Sequence, residues 1–179
     1  MSYYRELKDF ILQIKGDFFL SPRDRWFLKF LEEEGYPLEV VKEGIKRFFL
    51  FHPPNRASKL PLFMSFEQIQ KLKRFYIKKT SQGLDWKERF LKKLRLAEEI
   101  LGRKIQVKMP EDMQSAEEIL QSLSSEIAKK LWDELSREQK ASLMKKFASF
   151  KQDQELFKAM IKRELFKEKG IKSLSLFVD

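Results

Sequence analysis

An all-α fold is predicted for this chain, and three observations carry the prediction. Apolar residues recur at three- and four-residue spacing in eight successive stretches, as one buried helical face requires. Ser and Pro signals open several of these stretches and Gly closes several, the punctuation of helix starts and stops. Strand-like alternation is almost absent, the one short exception being Leu174 to Val178 at the end. The expected architecture is about eight helices in two helical sub-bundles, followed by a short extended C-terminal tail.

The elements follow in order. Tyr4, Leu7, Phe10, Ile11 and Ile14 line one face of a first helix over residues 3–15, and Gly16-Asp17 break it. Ser21-Pro22-Arg23-Asp24 then offers a cap hydroxyl, a Pro at the first helical position and an acid three residues after the cap. That signature starts a second helix at Pro22, which runs to about Glu34. Gly35 stops it, Pro37 restarts the chain, and Leu38, Val41, Ile45, Phe48 and Phe49 give a third helix its apolar face. Residues 52–62 hold three of the six prolines and are expected to be the main loop of the first half. Ser65 is expected to cap a fourth helix carrying Phe66, Ile69, Leu72, Phe75 and Tyr76. A fifth, from about Leu84 to Leu101, carries Trp86, Phe90, Leu94 and Ala97, and Gly102 closes it.

Residues 103–113 contain Pro110 and lack periodicity, which makes them the candidate linker. Beyond them, Ser115 with Glu118 and Ser136 with Gln139 read as capping boxes that start helices over about 116–135 and 137–149. The last helix, about 153–169, presents Leu156, Phe157, Met160, Ile161 and Leu165 and ends at Gly170. The organisation expected is a basic helical domain over 1–104, a linker over 105–113, a three-helix region over 114–170 and an apolar tail over 171–179.

Charge is distributed unevenly along this plan. Of a formal net charge of +10, residues 42–108 carry +12, from 18 Lys and Arg against 6 Asp and Glu; residues 1–41 sum to −2 and residues 109–179 to zero. A field confined to one third of a small protein attracts polyanions without reading their sequence. In the fourth helix Lys71, Arg74 and Lys78 share a face, with Lys73 and Lys79 flanking; the fifth adds Arg89, Lys92, Lys93 and Arg95, and the loop adds Arg56 and Lys59. Packed antiparallel on their apolar sides, the two helices would present these cations on one surface. Solvated Lys-rich faces normally interleave Glu for i,i+4 pairing, whereas here bases outnumber acids three to one. Phe75, Tyr76 and Trp86 are candidates for stacking on bases, although their helical spacing also suits a core.

Other function classes lack residues to support them. Cysteine is absent and His52 is the single histidine, lying beside two prolines as turn residues do, so thiol chemistry and Cys-ligated metal are excluded and a histidine base has no evident partner. No Gly-rich phosphate loop is present. No catalytic residue, metal or cofactor is expected, and an enzyme would need carboxylates converging from separate helices. The longest apolar runs, such as Phe48 to Phe51, are far short of a membrane span, and charges enter from the fifth residue, which a secretory signal would not tolerate; the expected location is the cytoplasm. A charged fraction of 36% with a single Asn fits heat-adapted proteins.

Two stretches resemble known families. The run Phe18-Phe19-Leu20-Ser21-Pro22-Arg23-Asp24, with Phe30 to Val41 and Gly44-Ile45-Lys46-Arg47-Phe48-Phe49, resembles the helical module of DnaD-type bacterial replication initiation proteins. It also looks like a family of uncharacterised bacterial proteins sharing this stretch. The first resemblance implies a helical DNA-binding module active in replication. In the tail, Ser173-Leu174-Ser175-Leu176-Phe177 resembles the peptide by which replication and repair proteins dock on the bacterial sliding clamp. It implies Leu174, Leu176 and Phe177 as partner-binding anchors for a preformed apolar groove. The expected role is a non-enzymatic nucleic-acid-binding accessory protein in DNA replication or repair. The alternative is a helical scaffold whose basic face meets an acidic protein.

Overall fold

The structure, a computed structural model, describes residues 2–53, 59–80 and 85–178, the side chains of 78–80 excepted. Among these residues there are eight α-helices and no strand: α1 (Tyr3–Lys15), α2 (Pro22–Glu33), α3 (Leu38–Leu50), α4 (Phe66–Thr80), α5 (Trp86–Leu101), α6 (Met113–Asp133), α7 (Arg137–Lys146) and α8 (Gln154–Glu168). The chain is therefore all-α, as its periodicity predicts. Leu174 to Val178 forms no strand, so the one strand signal is overridden by tertiary packing.

Local signals place most helix ends. The Ser21 hydroxyl accepts the Asp24 N–H at 3.1 Å with Pro22 in the first turn, and the Ser136–Gln139 capping box is present in both directions. Two starts differ from expectation. α6 begins three residues early because the Asp112 carboxylate, rather than Ser115, takes the cap position and accepts the Ser115 N–H at 2.7 Å. Ser65 does not cap α4; it ends a short 3₁₀ turn (Leu62–Ser65) and donates its hydroxyl to the Leu62 carbonyl at 2.6 Å. His52 sits at the end of α3, its Nδ1 2.7 Å from the Phe48 carbonyl, where the tautomer protonated at Nδ1 donates to an acceptor of the last helical turn.

Packing is organised around α3 and α6. Helix α3 packs on α1 and most closely on α4, where Gly44 admits Ile69: a Cβ at Gly44 would lie 2.5 Å from Ile69 Cγ1 and 3.0 Å from Ile69 Cα. Helix α6 receives α5 on one side and α4 and α8 on others. The two groups of helices share one core, since buried apolar residues from Leu7 to Leu176 form a single cluster. Phe66 gathers Phe27, Phe30 and Tyr36 at ring centroid distances of 6.0 to 6.2 Å, while Phe63 meets Phe150 of the second half edge-on at 5.3 Å. Arg163 and Lys167 of α8 hold Glu33 at the end of α2, at 3.3 and 3.2 Å.

The tail enters this core. Leu174 and Leu176 are 0% and 1% exposed and Phe177 is partly buried, so the three anchors expected to reach a partner are packed on the chain's own helices. Gly35, at φ +71°, is the close-approach point, because a Cβ there would collide with Val178.

Candidate nucleic-acid interface and the adjoining cleft

The basic segment divides into cations that face water and cations that hold the tail. Helices α4 and α5 are not each other's main packing partners, the arrangement that would gather their cations on one surface: α4 lies chiefly on α3 and α5 chiefly on α6, and the tail reaches both. On α5, Arg89 donates from Nη1 to the Leu176 carbonyl at 3.0 Å, and Lys93, buried, donates to the Ser173 carbonyl at 2.8 Å. These two residues, expected to hold phosphates, instead satisfy backbone acceptors of a segment about 80 residues away in sequence. Lys92 and Arg95, turned to the other side of α5, are exposed.

On α4 the outward face carries Lys71, Arg74 and Phe75. All three are exposed, Phe75 by 70%, and together with Gln114 they border a small concavity. Lys71 pairs with Glu67 one turn back at 2.7 Å, a water-exposed contact that a competing phosphate displaces at little cost. Lys59 is exposed. Arg56 lies outside the described residues, as do the side chains of Lys78 and Lys79, although both belong to α4. Of the aromatic candidates, Trp86 is buried and Tyr76 half-buried; only Phe75 offers a ring face to solvent.

Glu117 of α6 anchors the tail from the other side. Its Oε1 accepts the Ser175 hydroxyl at 2.8 Å and the Gln121 amide at 3.0 Å, and its Oε2 accepts the Leu176 N–H at 2.9 Å. Periodicity marks this residue, because Glu117 stands four after Met113 and three before Leu120, on the buried stripe of the helix. Lys73 holds the same place between Ile69 and Ile77, and Lys93 between Phe90 and Ala97. A charge on an apolar stripe was the available sign that these three work inward.

Beside this anchor, α4 and α8 diverge over α6 and leave a cleft of about 970 Å³. Its floor is the face of α6 bearing Gln121, Ser125 and Trp132; its walls include Ile77 of α4 and Phe157 and Leu165 of α8; Glu34, Tyr36 and Lys73 close one end. Burial dominates the titration of that end. It raises the Glu34 carboxyl above the usual range despite the opposing Lys162, Arg163 and Lys73 charges, and it lowers the Lys73 ammonium despite Glu117 and Glu34. Burial likewise raises the Tyr36 phenol. Glu34, Glu117, Glu118 and Glu155 all line the cleft, yet among the described residues no three acidic or histidine side chains converge as a metal site. Glu34 lies 3.8 Å from Arg163, and Glu118 accepts from Gln114 at 3.1 Å.

No helix among the described residues is long and apolar enough to cross a membrane. Comparison with known proteins matches residues 2–85 to a family described as "Uncharacterised protein". A protein of Aquifex aeolicus (strain VF5), described as an uncharacterized protein, is 38% identical over 176 residues, covering 96% of this chain and 98% of its own. No solved structure matches.

Proposed function

The chain belongs to this uncharacterised protein family, and from its surface we propose that it is a non-enzymatic nucleic-acid-binding protein that engages a single strand on the outer face of α4. One observation carries the reading: Phe75 stands 70% exposed beside Lys71 and Arg74. Cations that track phosphates, interleaved with an aromatic ring that accepts any base, form the recurring solution to single-strand binding. Exposing a Phe to water is otherwise unfavourable, at roughly 25 cal/mol per Å² of apolar surface. Lys59, Lys92 and Arg95 are further exposed cations of the basic segment, while Lys93 and Arg89 hold the tail. A role in replication or repair rests on the resemblance of Phe18 to Phe49 to the DnaD-type module alone.

Fluorescence anisotropy with labelled single-stranded DNA, RNA and duplex DNA across a salt series tests the proposal. Affinity should fall steeply with salt, and the Lys71→Glu, Arg74→Glu double variant should weaken binding to all sequences. Phe75→Ala should weaken single strands by about 1–3 kcal/mol and duplex by less. Absence of binding at about 50 mM salt sinks the reading. A second reading, docking of another protein, draws on Phe18 and Phe19, which are 94% and 74% exposed in the α1–α2 turn. It would be favoured by a partner lost on Phe18→Ser, Phe19→Ser substitution while nucleic acid fails to bind.

A further inference from the structure

We propose that the cleft between α4 and α8 is a binding site for a small amphipathic anion, a long-chain carboxylate whose head meets Lys73 and whose chain lies along α6. The shape supports such a ligand. Lining residues Gln114 to Trp132 run along one face of α6, which at 1.5 Å per residue makes a trough about 27 Å long. Its volume of about 970 Å³ stands at the upper end of the range for small-molecule sites. Ile77 of α4 and Phe157 and Leu165 of α8, with Ala128 and Trp132 of α6, give a hydrocarbon chain an apolar wall, while Gln121, Ser125 and Lys129 line the rest of the α6 face.

The head end is set by the state of Lys73. Its side chain is only 13% exposed and its ammonium borders the cleft, yet among the described residues it makes no hydrogen bond. Its contacts are the face of the Tyr36 ring at 4.3 Å, the Phe177 ring at 5.7 Å and the Glu117 carboxylate at 4.0 Å, beyond hydrogen-bonding distance. Glu117 does not turn toward it because its oxygens already hold Ser175, Leu176 and Gln121. The ammonium opens on the cleft without a hydrogen bond from the described residues, and a carboxylate entering the trough would accept one from it. Lys162, which reaches Gln121 only at 3.4 Å, adds a second cation facing the same end. Glu34 opposes an anion weakly, since Arg163 lies beside it and burial favours its neutral form. Lys73 and Lys162 together exceed the one carboxylate, Glu117, that stands 4.0 Å from Lys73, which leaves room for a single further negative charge, and the length of the trough calls for a chain behind it.

Isothermal titration of the full-length protein with dodecanoate, dodecyl phosphate and dodecanol tests this assignment, with Trp132 fluorescence as a second readout. Saturable dodecanoate binding is expected, weakened about tenfold or more, or about 1.4 kcal/mol, in Lys73→Met. That variant removes a buried charge and should remain folded by circular dichroism. Ala128→Trp, which fills the floor, should abolish binding without altering nucleic-acid affinity. The assignment is overturned if dodecanol binds as well as dodecanoate, if dodecyl phosphate binds more tightly, or if Lys73→Met binds unchanged. It is also overturned if no carboxylate binds at about millimolar concentration, or if dilution shows that the trough is covered by a second copy of the chain.

Discussion

Replacing Glu117 with Ala should unfasten the tail at a large cost in stability, because three donors converge on one buried carboxylate. Two of them, the Ser175 hydroxyl and the Leu176 N–H, are buried and have no route to water while the tail stays in place. Hydrogen bonds to a charged group contribute about 1.5–3 kcal/mol each, and a donor left buried without a partner costs about 1–3 kcal/mol. The two tail bonds do not add fully, since they share one acceptor group, and the removed charge no longer has to be desolvated; a net loss of about 3 kcal/mol is expected. For a chain of this length that lowers the melting temperature by about 6–12 °C. Urea unfolding measures the loss, and limited proteolysis should show the tail cut faster. Glu118→Ala, one residue along but exposed and bonded among the described residues only to Gln114 across a single turn, is the control and should change stability by less than about 0.5 kcal/mol. If the two variants differ by less than about 1 kcal/mol, Glu117 does not anchor the tail and the reasoning fails.

Other outcomes follow from the same geometry. Leu174→Ala should cost about 2–5 kcal/mol, because the side chain is wholly buried; a loss under about 1 kcal/mol would mean the tail leaves the core readily and its anchors are available to a partner. Gly44→Ala gains about 1 kcal/mol of helix propensity but forces a methyl onto Ile69, backbone included, so a net loss of about 2 kcal/mol is expected in urea midpoints, and a gain would refute the close approach. Glu34 has a folded-state pKa raised above its ordinary value of 4.5, so the native state holds the proton longer and its contribution to stability declines as pH rises through the folded value. Glu34→Gln, a mimic of the protonated form, should therefore look more favourable against wild type at about pH 7 than at about pH 4; the opposite trend in paired unfolding curves would contradict the shift.

The sequence by itself determined the helices and most of their ends. Helix formation and capping are settled within a few residues: Ser21 reaches Asp24, Ser136 reaches Gln139, and the periodic stripes mark which face is buried. Errors at this level were local competitions, as where Asp112 outbid Ser115 for the cap of α6. The exposure of Lys71 and Arg74 is legible for the same reason, since both stand off the apolar stripe of α4.

Only the tertiary structure decided where the tail goes and which cations it claims. Arg89 looks like its exposed neighbours Lys92 and Arg95, and Lys93 differs from them only by standing on the apolar stripe; the carbonyl partners of both arrive from about 80 residues further along, beyond the range of any helical repeat. The clamp-like tail resembles a free peptide because its apolar residues are short-range information; its burial depends on Glu117, Gly35 and the space between α4, α5 and α6. The cleft is a tertiary product as well, since it exists where α4 and α8 diverge over α6, and divergence of packed helices is fixed by side chains far apart in the chain.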